Sequence, residues 1–77
     1  MQLMPLSQTI GNATIHSLSA LPALRRRLYD LGFVPGTRVT RLFHNRGIAA
    51  YAVSGSVIAL RNADADTILC TPGEECQ

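Results

Sequence analysis

Leucine residues in the first half of the chain recur at a helical period. They stand three or four positions apart, so they fall on one side of an α-helix, and they are Leu21, Leu24, Leu28 and Leu31. We predict a helix over residues 20–31, with Ser19 as its N-cap, Pro22 in its first turn and Gly32 as a left-handed cap at its end. The leucine side should pack on the core.

Most of the remaining chain consists of short runs rich in β-branched and other apolar residues. These runs predict five strands, over residues 13–18, 37–44, 48–53, 57–60 and 68–71. Residues 1–11 mix Leu3, Leu6 and Ile10 with proline and polar residues. That mixture predicts an extended lead-in that covers a hydrophobic end of the fold.

Glycine, proline and asparagine mark the turns between these elements. Phe33-Val34-Pro35-Gly36 is typical of a type II turn, with proline at the second position and glycine at the third. Asn45-Arg46-Gly47 and Ser54-Gly55-Ser56 predict the next two turns. Residues 62–66 predict a single α-helical or 3₁₀ turn capped by Asn62.

The order of these elements predicts a mainly β fold. Five short strands protect their edges best by curling into a partly open, SH3-like barrel, with the α-helix between strands 1 and 2 covering one open end. A chain of 77 residues has room for one small domain. We therefore expect a domain over residues 1–71 and a polar C-terminal tail over residues 72–77.

Composition supports a folded domain without a membrane span. Hydrophobic residues make up 47% of the chain and charged residues 16%, a balance unlike that of disordered chains. The stretch 47–60 lacks charge but is shorter than the roughly 20 residues that span a bilayer. The N-terminus does not resemble a secretory signal. We expect a cytoplasmic protein with no direct membrane insertion.

The basic charge is local. All seven basic residues are arginine, the net charge is only +2, and three arginines are consecutive. Nucleic-acid binding calls for a stripe of basic residues that contact several phosphates, so the sequence does not favour a nucleic-acid partner. Arg25, Arg26 and Tyr29 point away from the leucine side of the predicted helix, whereas Arg27 flanks it. We predict that Arg25, Arg26 and Tyr29, continued by Phe33, form a partner-binding surface. The alternative is that the arginines only keep the helix soluble and that Phe33 is buried as a hydrophobic contact of the helix cap.

The sequence offers no set of catalytic residues and no phosphate-binding loop, so we expect no enzymatic activity and no required cofactor. Candidate ligands for Fe²⁺ or Zn²⁺ exist, but none of their spacings is typical of a metal site. These candidates are His16, His44, Cys70, Glu74, Glu75 and Cys76. The sequence therefore favours no metal site: we expect the histidines to be partly exposed strand residues, the glutamates a solvated tail and the cysteines free thiols.

Two segments carry a family resemblance. Residues 27–39 read RLYDLGFVPGTRV, and residues 51–61 read YAVSGSVIALR. Together with the spacing of Leu6, Gly11 and Ile15 before them and of Ala65 and Ile68 after them, they resemble the ferrous iron transport protein A (FeoA) family over nearly the whole domain. The chain departs from the family pattern in the loop 45–50, which lacks a Gly-Asp-Pro-type turn. It also departs at Arg41, which replaces an apolar residue of many relatives.

The resemblance implies an SH3-like regulatory protein of ferrous iron uptake that does not catalyse a reaction. Its partner would be the cytoplasmic part of a FeoB-type membrane GTPase transporter, which would hold it peripherally at the inner membrane. The alternative function is a small Fe²⁺ or Zn²⁺ carrier or sensor. Self-association through free strand edges is a further expectation.

Overall fold

The computed structural model describes residues 3–72 and consists mainly of antiparallel strands. The six strands are β1 (Met4–Pro5), β2 (Asn12–Leu18), β3 (Arg38–Asn45), β4 (Ile48–Val53), β5 (Ser56–Arg61) and β6 (Ile68–Pro72). The two α-helices are α1 (Pro22–Leu31) and α2 (Asn62–Ala65), and a 3₁₀ turn covers Leu6–Gln8. The mainly β, SH3-like prediction with one main helix between the first two predicted strands is confirmed.

The strands form one sheet in the order β1-β6-β2-β3-β4-β5. Among residues 3–72, no pairing joins β1 to β5, so the sheet is open and these two strands are its edges. The sequence missed β1, because it has only two residues and one is a proline. Met4 nevertheless pairs with Cys70 and Pro5 with Leu69, which fixes the lead-in to the last strand.

Helix α1 begins two residues later than predicted. Leu21 is its N-cap, with an extended backbone at φ −62° and ψ 158°, because a residue that precedes proline is excluded from the helical region. Ser19 therefore does not cap the helix, and its hydroxyl donates a 3.3 Å hydrogen bond to the Thr67 carbonyl. Leu21 is 78% exposed, so the prediction that it packs on the core was wrong. Leu24, Leu28 and Leu31 do pack on it.

The turn that follows α1 has the predicted type but spans residues 34–37, one residue later than the predicted 33–36. The Thr37 N–H donates to the Val34 carbonyl at 3.1 Å, which places Pro35 at the second position and Gly36 at the third. Gly36 has φ +91°, as the third position of a type II turn requires. Its N–H donates to the Ile15 carbonyl at 2.7 Å, so the turn is tied to β2.

The turn between β4 and β5 is shorter than predicted. Ser54 and Gly55 both have positive φ, +51° and +82°, which is the type I′ geometry of a two-residue hairpin. Ser56 is consequently the first residue of β5 and pairs with Val53. The preceding hairpin is also tighter, because Asn45 is the last residue of β3 and pairs with Ile48.

Two boundaries near the C-terminus differ from their predictions. Arg61, in an extended conformation, is the N-cap of α2, so the prediction that Asn62 caps the turn was wrong. Asn62 instead continues the β4–β5 ladder, since its N–H donates to the Gly47 carbonyl at 2.8 Å. Pro72, assigned to the tail from the sequence, lies in β6 and pairs with Ala13. Residues 73–77 lie outside the described residues.

The core lies on one face of the sheet, where α1 contributes Leu28 to it and packs Leu24 and Leu31 against it. Its largest fully buried side chains include Tyr51, Phe33, Leu6, Ile15 and Leu28. Burying a side chain of the size of leucine contributes about 2 kcal/mol. Leu6 therefore confirms that the lead-in covers part of the core. Ile10, in contrast, is 85% exposed.

Arg41 occupies the core-facing side of β3 opposite Tyr51. Its guanidinium reaches across the fold, where Nη1 donates to the Ser7 carbonyl at 3.1 Å. The Ser7 hydroxyl in turn donates to the carboxylate of Asp66. These bonds give the half-buried arginine a partner and tie the lead-in to the sheet.

Candidate partner-binding surface

One side of α1 presents a cationic and aromatic surface to solvent. Arg25 and Arg26 are exposed, and Tyr29 is 42% exposed. Tyr29 follows Arg25 by four residues and Arg26 by three, so the three side chains are neighbours on the helix. We call these three residues the arginine face. The structure thus brings three of the four predicted surface residues together.

Phe33, the fourth, does not belong to this surface, and its prediction was wrong. Its side chain is 0% exposed. Its ring meets that of Tyr51 edge to face, with the centroids 6.5 Å apart and an interplanar angle of 87°. The alternative reading of Phe33, as a buried contact of the helix cap, describes its position.

The end of α1 explains why Phe33 turns inward. Gly32 has φ +106°, and its N–H donates to the Tyr29 carbonyl at 3.0 Å, while the Phe33 N–H donates to the Leu28 carbonyl at 2.9 Å. These two bonds make a Schellman motif, whose residue after the left-handed glycine commonly makes an apolar contact with the last helical turn. Leu28 is the residue expected in that contact, and it lies in the same core cluster as Phe33.

Leu21 extends the arginine face, and sequence reasoning missed it. It lies one turn before Arg25, and its carbonyl accepts the Arg25 N–H at 2.8 Å. The signal was present in the sequence, because Pro22 forces Leu21 to be extended and thereby removes it from the leucine side of the helix. Leu21 therefore adds apolar contact area to a surface that otherwise consists of two arginines and a tyrosine.

The opposite side of α1 borders a groove of about 320 Å³. Leu24 and Leu31 line it from the helix, and Ile48 and Ala59 line it from the sheet. Arg27 lies on its rim, in agreement with the predicted flanking position. The helix therefore has two distinct accessible sides.

The candidate metal ligands are not gathered in one place. His16 on β2 and His44 on β3 are exposed, whereas Cys70 on β6 is fully buried. Burial raises the pKa of the Cys70 thiol to about 11, which disfavours the thiolate that binds metals. Within residues 3–72, no three His, Cys, Asp or Glu side chains are placed so that they could hold a metal ion. Glu74, Glu75 and Cys76 lie outside the described residues.

In the part of the chain that the structure describes, no helix is long and apolar enough to cross a membrane.

Comparison with known proteins identifies the family. The model of the FeoA domain matches residues 4–72. No curated protein sequence matches the chain. Among solved structures, the FeoA protein from Chlorobium tepidum is 31% identical, with a TM-score of 0.75 over 94% of this chain and 74% of that one.

Two further structures share the fold. An iron uptake regulatory protein (FeoA) is 20% identical and superposes with a TM-score of 0.82 over 91% of this chain and 97% of its own. A FeoA-like protein from Clostridium acetobutylicum is also 20% identical, with a TM-score of 0.86 over 100% of this chain and 94% of that one. Since the family model spans almost all of the described residues, the chain belongs to the FeoA domain family of ferrous iron transport.

Proposed function

We propose that this protein is a non-catalytic accessory of ferrous iron uptake that binds the cytoplasmic part of a FeoB-type membrane GTPase transporter. The arginine face of Arg25, Arg26 and Tyr29 is the contact surface. The observation that carries the proposal is the exposure of these three adjacent side chains on the one long helix of a FeoA domain.

The chemistry of the arginine face suits protein recognition. Arginine and tyrosine are enriched among the residues that dominate binding energy, because each offers a large contact area together with directed hydrogen bonds. Leu21, which is 78% exposed, supplies apolar surface beside them. A partner surface with carboxylates around an apolar centre would complement this arrangement.

The helix dipole does not explain the position of Arg25. The first turn of α1 contains no acidic residue and the last turn no basic one, whereas the helix dipole favours the opposite distribution. Arg25 lies in the first turn, where a cation is unfavourable by a few tenths of a kcal/mol. The dipole therefore does not account for Arg25, and its exposure in the first turn supports recognition of an anionic partner.

The test is an amide NMR titration of the labelled protein with the cytoplasmic GTPase domain of the transporter, without and with guanine nucleotide. We expect shifts clustered on residues 21–30, and at least about tenfold weaker binding for an Arg26→Ala, Tyr29→Ala double variant. Arg46→Ala is the matched control, since Arg46 is an exposed arginine in the β3–β4 turn. Equal binding by the double variant and the control contradicts the proposed surface.

A further inference from the structure

Strand β5 has a free hydrogen-bonding edge. Within residues 3–72 it pairs with β4 alone. The Asn62 N–H, one residue beyond β5, donates to the Gly47 carbonyl on the β4 side. Because backbone groups alternate between the two edges of an antiparallel strand, Val57 and Ala59 direct their N–H and C=O groups away from β4. No backbone hydrogen bond found among residues 3–72 uses those four groups.

This edge lacks the features that usually block strand pairing. Residues 56–60 contain no charge and no proline, although exposed edges are commonly protected by lysine, proline or a bulge. No register shift interrupts the β4–β5 ladder. Val57 is 63% exposed. The edge is thus regular, apolar and open to an added strand.

The groove beside α1 continues from this edge. Ala59 and Leu60 of β5 line one wall, and Leu24 and Leu31 of α1 line the other. Side chains alternate between the two faces of a strand. A strand paired to β5 would therefore place every second side chain against the leucine wall.

The charged residues that line the groove favour an acidic occupant. They are two arginines, Arg27 and Arg61, and one aspartate, Asp64. The excess of cations favours an occupant that carries carboxylates. A second copy of β5 offers none, since its only charged residue is Arg61.

We propose that β5 accepts an extended segment of a partner protein as a seventh strand, and that this segment alternates apolar with acidic residues. Main-chain hydrogen bonds to Val57 and Ala59 give affinity, and the leucine wall with Arg27 and Arg61 gives specificity, as in other cases of strand addition. This surface is separate from the arginine face and goes beyond the proposed function.

The probe is a blocked hexapeptide in which glutamate and valine alternate, titrated into the labelled full chain. We expect binding with a Kd of about 1 mM or tighter, with shifts at the Val57 and Ala59 amides and slowed hydrogen exchange at both. Ala59→Pro removes one outward donor without breaking the β4 ladder and should weaken binding about tenfold. Ala59→Ser, which keeps the N–H, is the matched control.

A second measurement keeps the test valid if Ala59→Pro does not fold. A peptide methylated on the amides that face β5 should bind at least about tenfold more weakly to the unaltered protein. Binding of a lysine–valine peptide as tight as that of the glutamate peptide overturns the proposal, and so do shifts confined to other strands. A dimer that Ala59→Pro dissolves would assign the edge to a second copy and also overturns it.

The outcome is independent of the proposed function. Loss of transporter binding on changing Arg26 and Tyr29 bears only on the arginine face. Failure of the glutamate–valine peptide to bind counts against strand addition to β5 and does not affect the arginine face.

Discussion

Replacing Gly32 with alanine should lower the free energy of unfolding for two separate reasons at the end of α1. Gly32 has φ +106°, a region that residues with a side chain rarely adopt. A Cβ atom built on it would lie 2.9 Å from Oγ and 3.1 Å from Cβ of Ser54. The alanine variant would therefore be strained in its backbone and would also collide with the β4–β5 turn.

Gly36 supplies the reference for the backbone cost alone. It has φ +91°, and nothing lies within 4 Å of a Cβ atom built on it. Gly36→Ala should thus cost about 1–2 kcal/mol. Gly32→Ala should cost about 1–2 kcal/mol more, because the hydroxymethyl group of Ser54 must move. For a domain of this size the second increment corresponds to a further fall in Tm of roughly 4–16 °C.

A double-mutant cycle assigns the extra cost to its cause. Ser54→Gly removes the obstructing side chain, and it also relieves the positive φ of Ser54. In this background, Gly32→Ala should cost about as much as Gly36→Ala, so the coupling free energy should be about 1–2 kcal/mol. Urea unfolding followed by circular dichroism measures all four variants. Equal costs of Gly32→Ala with and without Ser54 would refute the reasoning.

Two further predictions concern buried polar groups. Burial raises the pKa of Cys70 from 9.0 to about 11, so its thiol stabilises the folded state fully below pH 9 and loses about 2 kcal/mol of that contribution as the pH rises to 11. In a Cys76→Ser background, the free energy of unfolding should fall over that pH range by more than it does when Cys70→Val is added. A thiol reagent should label Cys70 only on unfolding. Equal pH profiles of the two proteins would contradict the linkage to Cys70. Arg41→Ala should lose about 2 kcal/mol in urea unfolding, because it removes both the bond to the Ser7 carbonyl and the packing of the arginine stem against the core. Arg41→Met loses the same bond but keeps an apolar side chain of similar length at this core-facing position, so it should stay within about 1 kcal/mol of the parent. A methionine variant as unstable as the alanine variant would contradict the packing argument.

Local patterns were sufficient where a residue's conformation depends on its neighbours in sequence. Proline and glycine specify the turn at Pro35 and Gly36 and the end of α1 at Gly32, since each restricts or requires particular φ values. The same local rule, applied to Leu21, would have corrected the start of the helix. β4 was predicted with its observed bounds, Ile48–Val53, because turns limit it on both sides.

Positions that depend on distant contacts could not be read from the sequence. Met4–Pro5 becomes a strand only because β6, more than sixty residues away, offers its edge. Phe33 looked like the continuation of an exposed helical side, but the left-handed glycine redirects the chain toward Tyr51. The free edge of β5 likewise follows from the order of strands in the sheet, which no local pattern contains.

The two surfaces of α1 lie on different sides of one helix and need not compete. At 100° per residue, the mean direction of positions 25, 26 and 29 lies about 140° from that of positions 24, 28 and 31, and the latter face the groove and the core. A partner on the arginine face would therefore leave the β5 edge open. Because Phe33 and Leu28 anchor the end of the helix in the core, both surfaces are presented from one fixed element. The geometry is therefore compatible with simultaneous occupation of the two proposed surfaces.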